Sequence, residues 1–135
     1  MLAFAVLLGA CDSGSEPEVS IFDVILGEGP VADGRVLVTI TYVGMFTNGE
    51  VFDSSEKWGP LTFELDTGIV EGGSANRRVI EGLVRGVPGM RVGGVRRITV
   101  PPELAYGREG MDPHIPGQAT LVFQIELLSV QDKPS

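Results

Sequence analysis

Cysteine and histidine are nearly missing from this chain of 135 residues, which holds one of each, Cys11 and His114. A single cysteine excludes an intramolecular disulfide and any zinc site built from several thiolates, and a single histidine excludes the two-histidine metal motifs. No metal or other cofactor is expected, and Cys–His nucleophilic catalysis has little to work with. Positive charge is also scarce. Ten Lys and Arg stand against 18 Asp and Glu, a formal charge of -8, so the phosphate-neutralising surface that DNA or RNA requires is not expected. The length leaves no room for a second folded unit of any size.

Long hydrophobic runs are absent except at the start, where MLAFAVLLGA contains only Gly9 outside the apolar class. Such a run is too short to span a bilayer as a helix, which takes about 20 residues, but it has the size of a signal-peptide apolar region. It ends Leu8-Gly9-Ala10-Cys11, which resembles the lipobox of bacterial lipoproteins, whose cysteine is lipidated and becomes the mature N-terminus. The rival reading is a first β-strand. Against that stands the switch to Asp12-Ser13-Gly14-Ser15-Glu16-Pro17-Glu18, a polar tether without apolar period. No Lys or Arg precedes the apolar run, which points to a start upstream of Met1. The expectation is a signal segment over residues 1–11, a tether over 12–19, and a protein held by lipid at Cys11 to a membrane of the bacterial envelope.

From residue 20 the pattern is β. Val36, Val38, Ile40 and Tyr42 alternate with Leu37, Thr39, Thr41 and Val43, and Leu121, Phe123, Ile125 and Leu127 with Val122, Gln124, Glu126 and Leu128. A period of two predicts two long strands, each with one face in a core. Shorter strands are expected at 21–26, 61–65 and 96–100. Asn48-Gly49 between Phe46 and Val51 predicts a hairpin through a tight primed turn. Prolines confine helices to the gaps, and one candidate survives, 78–86, with Val79, Ile80, Leu83 and Val84 on one face. The expected fold is α+β, an antiparallel sheet of about five strands with one short helix packed across it, over residues 20–130, followed by a polar tail at 131–135.

The residues then become recognisable. Thr41-Tyr42-Val43-Gly44-Met45-Phe46, Gly49-Glu50-Val51-Phe52-Asp53-Ser54-Ser55, Val79-Ile80-Glu81-Gly82, Leu104-Ala105-Tyr106-Gly107, Ile115-Pro116 and Ala119 through Leu128 come in the order and near the spacing of one known family. Together they resemble the FK506-binding (FKBP) type of peptidyl-prolyl cis-trans isomerase over about residues 20–130. The resemblance implies a sheet half-wrapped around the short helix and a proline pocket. Tyr42, Phe52 and Phe123 would be its walls, Val79 and Ile80 its rim, and Leu83 its floor. The Ile80 N–H and the Tyr106 hydroxyl would donate to the substrate, and Asp53 would be a polar group at the edge. Ile115 and His114 would sit on a loop closing over the substrate. The implied partners are proline-containing segments of folding envelope proteins, with macrolide inhibitors as ligands of the same pocket, bound by a monomer. The alternative is a non-catalytic binding module or chaperone that holds such segments.

Each assignment has a bland rival. Tyr42 and Phe123 lie on apolar strand faces where aromatics are ordinarily core, Asp53 before two serines is a good turn residue, and Tyr106 could be a loop anchor. The chain also departs from the commoner family pattern. Leu83 stands where many members carry tryptophan, Leu61 stands where they carry an aromatic, Trp58 has no secure counterpart, and residues 66–78 are several longer. These departures bear on macrolide affinity more than on isomerisation.

Overall fold

The computed structural model describes residues 16–73 and 77–133. Six antiparallel strands form one sheet. In chain order they are β1 (Ser20–Ile25), β2 (Val36–Phe46), β3 (Val51–Ser54), β4 (Leu61–Glu64), β5 (Val95–Val100) and β6 (Leu121–Asp132). Among the described residues α1 (Ser55–Trp58) is a single turn, α2 (Glu81–Gly86) is the helix across the sheet, and a 3-10 turn covers Pro102–Leu104. The α+β class and the antiparallel sheet agree with the sequence reading; the strand beyond the five foreseen is β3, too short at four residues to show a period.

The two strongly alternating segments pair with each other along their whole length, from Val36 opposite Asp132 to Phe46 opposite Leu121. Gln131 and Asp132, read from their polarity as the start of a tail, therefore continue β6. β5 and then β1 extend the sheet on one side of β6. On the other side β2 is shared. Its first half pairs with β4, from Leu37 opposite Glu64 to Ile40 opposite Leu61, and its second half pairs with β3, from Val43 opposite Ser54 to Met45 opposite Val51.

Between the two stretches the Tyr42 backbone would lose its partners, and the Ser55 side chain supplies them. The Tyr42 N–H donates to Ser55 Oγ at 2.9 Å, and that hydroxyl donates to the Tyr42 carbonyl at 3.3 Å. A buried backbone group must be paired somewhere, and here a serine hydroxyl stands in for a strand.

Inward-facing Val38, Ile40, Ile98, Leu121, Ile125 and Leu127 are fully buried. The helix lies on this face so closely that two of its positions admit no side chain. A Cβ at Gly82 would collide with the Val100 side chain, and one at Gly86 would stand 2.8 Å from Ile98 Cδ1. Glycine costs helix propensity, and close approach to the sheet is what it permits.

The helix begins at Glu81 rather than at Arg78. The Val79 N–H donates to the Gly68 carbonyl at 2.9 Å, and Ile80 is extended at φ -64°, ψ 154°, so the preceding loop takes the first turn's residues. The Asn48-Gly49 hairpin forms through a longer connection than expected. The Phe46 N–H donates to the Glu50 carbonyl at 2.9 Å, only Gly49 of the two central residues has positive φ, at 93°, and Asn48 instead accepts from the Glu50 N–H at 2.9 Å through its side chain.

Candidate functional site

The sheet's inner face carries three aromatic side chains at the end away from the chain's first strand. Phe123 on β6 lies opposite Gly44 on β2, and Tyr42 lies opposite Ile125. The Phe52 ring, from β3, meets Phe123 edge-on at 5.8 Å between centroids and 84°, and Tyr42 meets Phe123 edge-on at 6.3 Å and 61°. Edge-to-face aromatic packing of this kind contributes about 0.5–1.5 kcal/mol beyond area burial. Gly44 makes room for it, since a Cβ there would stand 2.7 Å from Phe52 Cζ and 3.0 Å from Phe123 Cε1.

These rings enclose one side of a hollow of about 510 Å³. Leu83 from α2, together with Val79, Ile80 and Tyr106, completes it. Eight of the nine pocket residues inferred from the resemblance line this hollow: Tyr42, Phe52, Asp53, Val79, Ile80, Leu83, Tyr106 and Phe123. Ile115 does not. It is buried one step away, lining an adjoining hollow with His114. Cys11 lies outside the described residues.

Polar groups are few and oriented. The Tyr42 hydroxyl donates to Asp53 Oδ2 at 3.0 Å. The other carboxylate oxygen, Oδ1, accepts from the Ser54 N–H at 2.9 Å and from the Trp58 indole N–H at 3.2 Å. Asp53 is thus at once the turn residue and the pocket-edge carboxylate, the two alternatives the sequence left open. Burial pushes the Tyr42 phenol up to about 12, with the hydrogen bond and the charge of Asp53 adding to it and nearby Arg77 opposing, so Tyr42 stays a proton donor throughout the physiological range.

Burial, then the charge of Asp53, also raises the Tyr106 phenol. Among the described residues neither the Tyr106 hydroxyl nor the Ile80 N–H has a partner in the protein. Two donors beside an apolar hollow are available to an incoming carbonyl.

Sequence reasoning gave no individual pocket role to Val70, Arg77, Arg78 or Met111, although the first three fall in the long 66–78 segment that abuts the helix start and so the pocket. Nothing periodic marks them, because they sit on irregular segments. Trp58 carried one signal, being the chain's only tryptophan, placed in a polar stretch; its ring is 74% exposed while its N–H fixes Asp53.

Among the described residues no group of three His, Cys, Asp or Glu is placed to hold a metal ion. An apolar hollow edged with fixed donors can bind an uncharged group, exclude water from it, and hydrogen-bond an oxygen at its mouth. Its lining among the described residues holds no serine, threonine, cysteine, lysine or histidine.

Comparisons with known proteins agree on the kind of molecule. The family model described as FKBP-type peptidyl-prolyl cis-trans isomerase matches residues 27–128. Among curated relatives, a protein named FK506-binding protein 4 from Emericella nidulans is 45% identical over 113 residues, 84% of this chain and 22% of the relative. One of the same name from Dictyostelium discoideum is 46% identical over 107 residues, 79% of this chain and 27% of the relative. The chain therefore spans about a quarter of the length of these relatives.

Among solved structures, FkpA from Escherichia coli superposes with a TM-score of 0.70 at 36% identity, covering 86% of this chain and 49% of that one. AtFKBP13 superposes with 0.69 at 37%, covering 82% and 91%. The curated relatives correct one expectation. They are FK506-binding protein 4 of fungi and of Dictyostelium, not lipoproteins of a bacterial envelope; the apolar run on which that localisation rested lies outside the described residues.

Proposed function

The chain belongs to the FKBP-type peptidyl-prolyl cis-trans isomerase family, and from that premise we propose that it catalyses rotation about X-Pro bonds in proline-containing segments of folding proteins, acting as a monomer. The domain that does so extends from about residue 20 to the end of β6. The observation that carries the reading is the meeting of Tyr42, Phe52, Phe123 and Leu83 around one hollow with the Tyr106 hydroxyl and the Ile80 N–H at its mouth.

Rotation breaks no covalent bond; it must overcome the partial double-bond character of the amide, a barrier of about 18–20 kcal/mol. The planar amide is the more polar state, with charge shifted from nitrogen to oxygen. An apolar hollow that takes the proline ring and its imide out of water therefore favours the twisted state relative to water. Donors that hold the substrate's carbonyl groups fix its orientation while the bond turns. Tyr42 acts through Asp53: the pair ties β2 to β3 across the pocket wall and keeps the carboxylate from folding into the hollow.

Macrolides are a ligand class for the same hollow, bound less well for want of an aromatic at Leu83. The test is exchange NMR on a short X-Pro peptide with the full chain at micromolar concentration. Exchange faster than the buffer blank, suppressed by Phe123→Ala, is expected. Binding of the peptide with no acceleration would replace the isomerase by a holding module.

A further inference from the structure

A second hollow of about 480 Å³ adjoins the proline hollow, and the two share Phe52, Asp53, Tyr106 and Met111. Apart from the shared Asp53, their charges are opposed. The first hollow carries Arg77 and Arg78 and no further acid. The second carries Glu50 and Asp112 against Lys57.

Hydrogen bonds tie down the segments that carry Arg77, Arg78 and Asp112. The Arg77 carbonyl accepts from the Val70 N–H at 2.9 Å, Arg78 is bridged to Ile69, and the Arg78 guanidinium donates to the Thr67 carbonyl at 3.1 Å. On the far side Met111 and Ile115 exchange two backbone hydrogen bonds of 2.8 Å, which pin the turn bearing Asp112. Among the described residues no carboxylate lies within 4.0 Å of Arg77 or Arg78, and neither Glu50 nor Asp112 is in an ion pair. Both poles are left unneutralised.

An extended peptide advances about 3.3 Å per residue, so residues one or two places either side of a bound proline pass over these poles. Resting on the isomerase reading above, we infer that the site reads the order of charges along its substrate, taking segments with an acidic side chain on the Arg77 side of the proline and a basic one on the Glu50 and Asp112 side. The excess negative charge of the whole chain cannot do this. It attracts basic segments whatever their order and is screened over about 8 Å at physiological salt, whereas order is read only by groups at fixed places beside the pocket.

Peptides of identical composition separate the two effects. Ala-Glu-Ala-Pro-Ala-Lys and Ala-Lys-Ala-Pro-Ala-Glu have the same net charge in opposite order, and Ala-Gln-Ala-Pro-Ala-Gln is the neutral reference. With the full chain in 50 mM salt, exchange NMR should give kcat/KM about three- to fivefold higher for one charged order than for the other, as for two exposed ion pairs. The gap should narrow at 0.5 M salt, shrink in Arg77→Gln and reverse in the double variant Arg77→Glu, Arg78→Glu. Equal values for the two orders, with the neutral peptide still accelerated, would overturn the inference and leave the isomerase reading standing. A gap that persists unchanged in both variants would also overturn it. No acceleration of any of the three peptides would sink the isomerase reading and the inference with it.

Discussion

Gly44→Ala adds one methyl group at the point where two pocket rings meet. Gly44 lies in β2 beside the register shift toward β3, and its φ is not in the left-handed region, so the substitution introduces no backbone strain of its own. Its Cβ would stand 2.7 Å from Phe52 Cζ and 3.0 Å from Phe123 Cε1, where carbon atoms are comfortable at about 3.5–4.0 Å. One ring must move. Phe123 is 5% exposed and is held edge-on by both Tyr42 and Phe52; Phe52 is less buried and on a short strand, so it is the one displaced.

Overpacking of this kind costs about 1–3 kcal/mol, and the reduced freedom of the unfolded chain offsets about 0.4–1 kcal/mol of it. The net loss is about 1–2 kcal/mol, a fall in urea midpoint of roughly 0.5–1 M. Because the displaced ring is a pocket wall, kcat/KM for an X-Pro peptide should fall about three- to tenfold. Adding Phe52→Leu relieves the clash, so the double variant should recover stability and not activity, a non-additive cycle. If Gly44→Ala unfolds within about 0.3 kcal/mol of the parent and turns over peptide at the same rate, the rings are not wedged against the strand and the reasoning fails.

Ser55→Ala leaves the Tyr42 N–H without its acceptor and should cost about 1–3 kcal/mol, read as a lower urea midpoint together with faster hydrogen exchange at the Tyr42 amide. The Tyr42 phenol, raised from an ordinary value of 10.0 to about 12, binds its proton more tightly folded than unfolded, so its contribution to stability is complete below pH 10 and is lost as pH climbs through about 12; Tyr42→Phe should flatten that part of the urea-midpoint profile. Tyr106→Phe removes a hydroxyl that has no partner in the described protein, so stability should hardly change while kcat/KM falls about three- to tenfold, the worth of one hydrogen bond. Loss of stability without loss of turnover would make Tyr106 a packing residue only.

The long strands β2 and β6 were legible because each buries one face, and burial of one face writes a period of two into the sequence. The pocket walls were legible for a different reason, since Tyr42 and Phe123 carry the same signal as any core aromatic and only the family motifs separated them from the core. Where neither signal exists the reading stopped. β3, at four residues, is too short to alternate, and the helix lost Arg78, Val79 and Ile80 to a loop whose hydrogen bonds run to Gly68 and Val70. Gln131 and Asp132 look like a tail by polarity, yet backbone pairing with Leu37 and Val36 does not depend on side chains. Arg77, Arg78 and Met111 reach the hollow from irregular segments, and local pattern holds no information about such reach.

The order of strands across the sheet decides when this domain can fold as it leaves the ribosome. β6 is the last strand and lies between β5 and β2, bringing Leu121, Phe123, Ile125 and Leu127 into the interior at once. Until it emerges, β1 and β5 have no strand to join them to β2, β3 and β4, and the faces those strands bury against it stay open to water. At roughly 5–20 residues per second that exposure lasts seconds, and closing it requires pairing across some ninety positions of chain, the long-range contact that slows folding most. A nascent chain stalled before Leu121 is thus the form of this protein most in need of a holding partner.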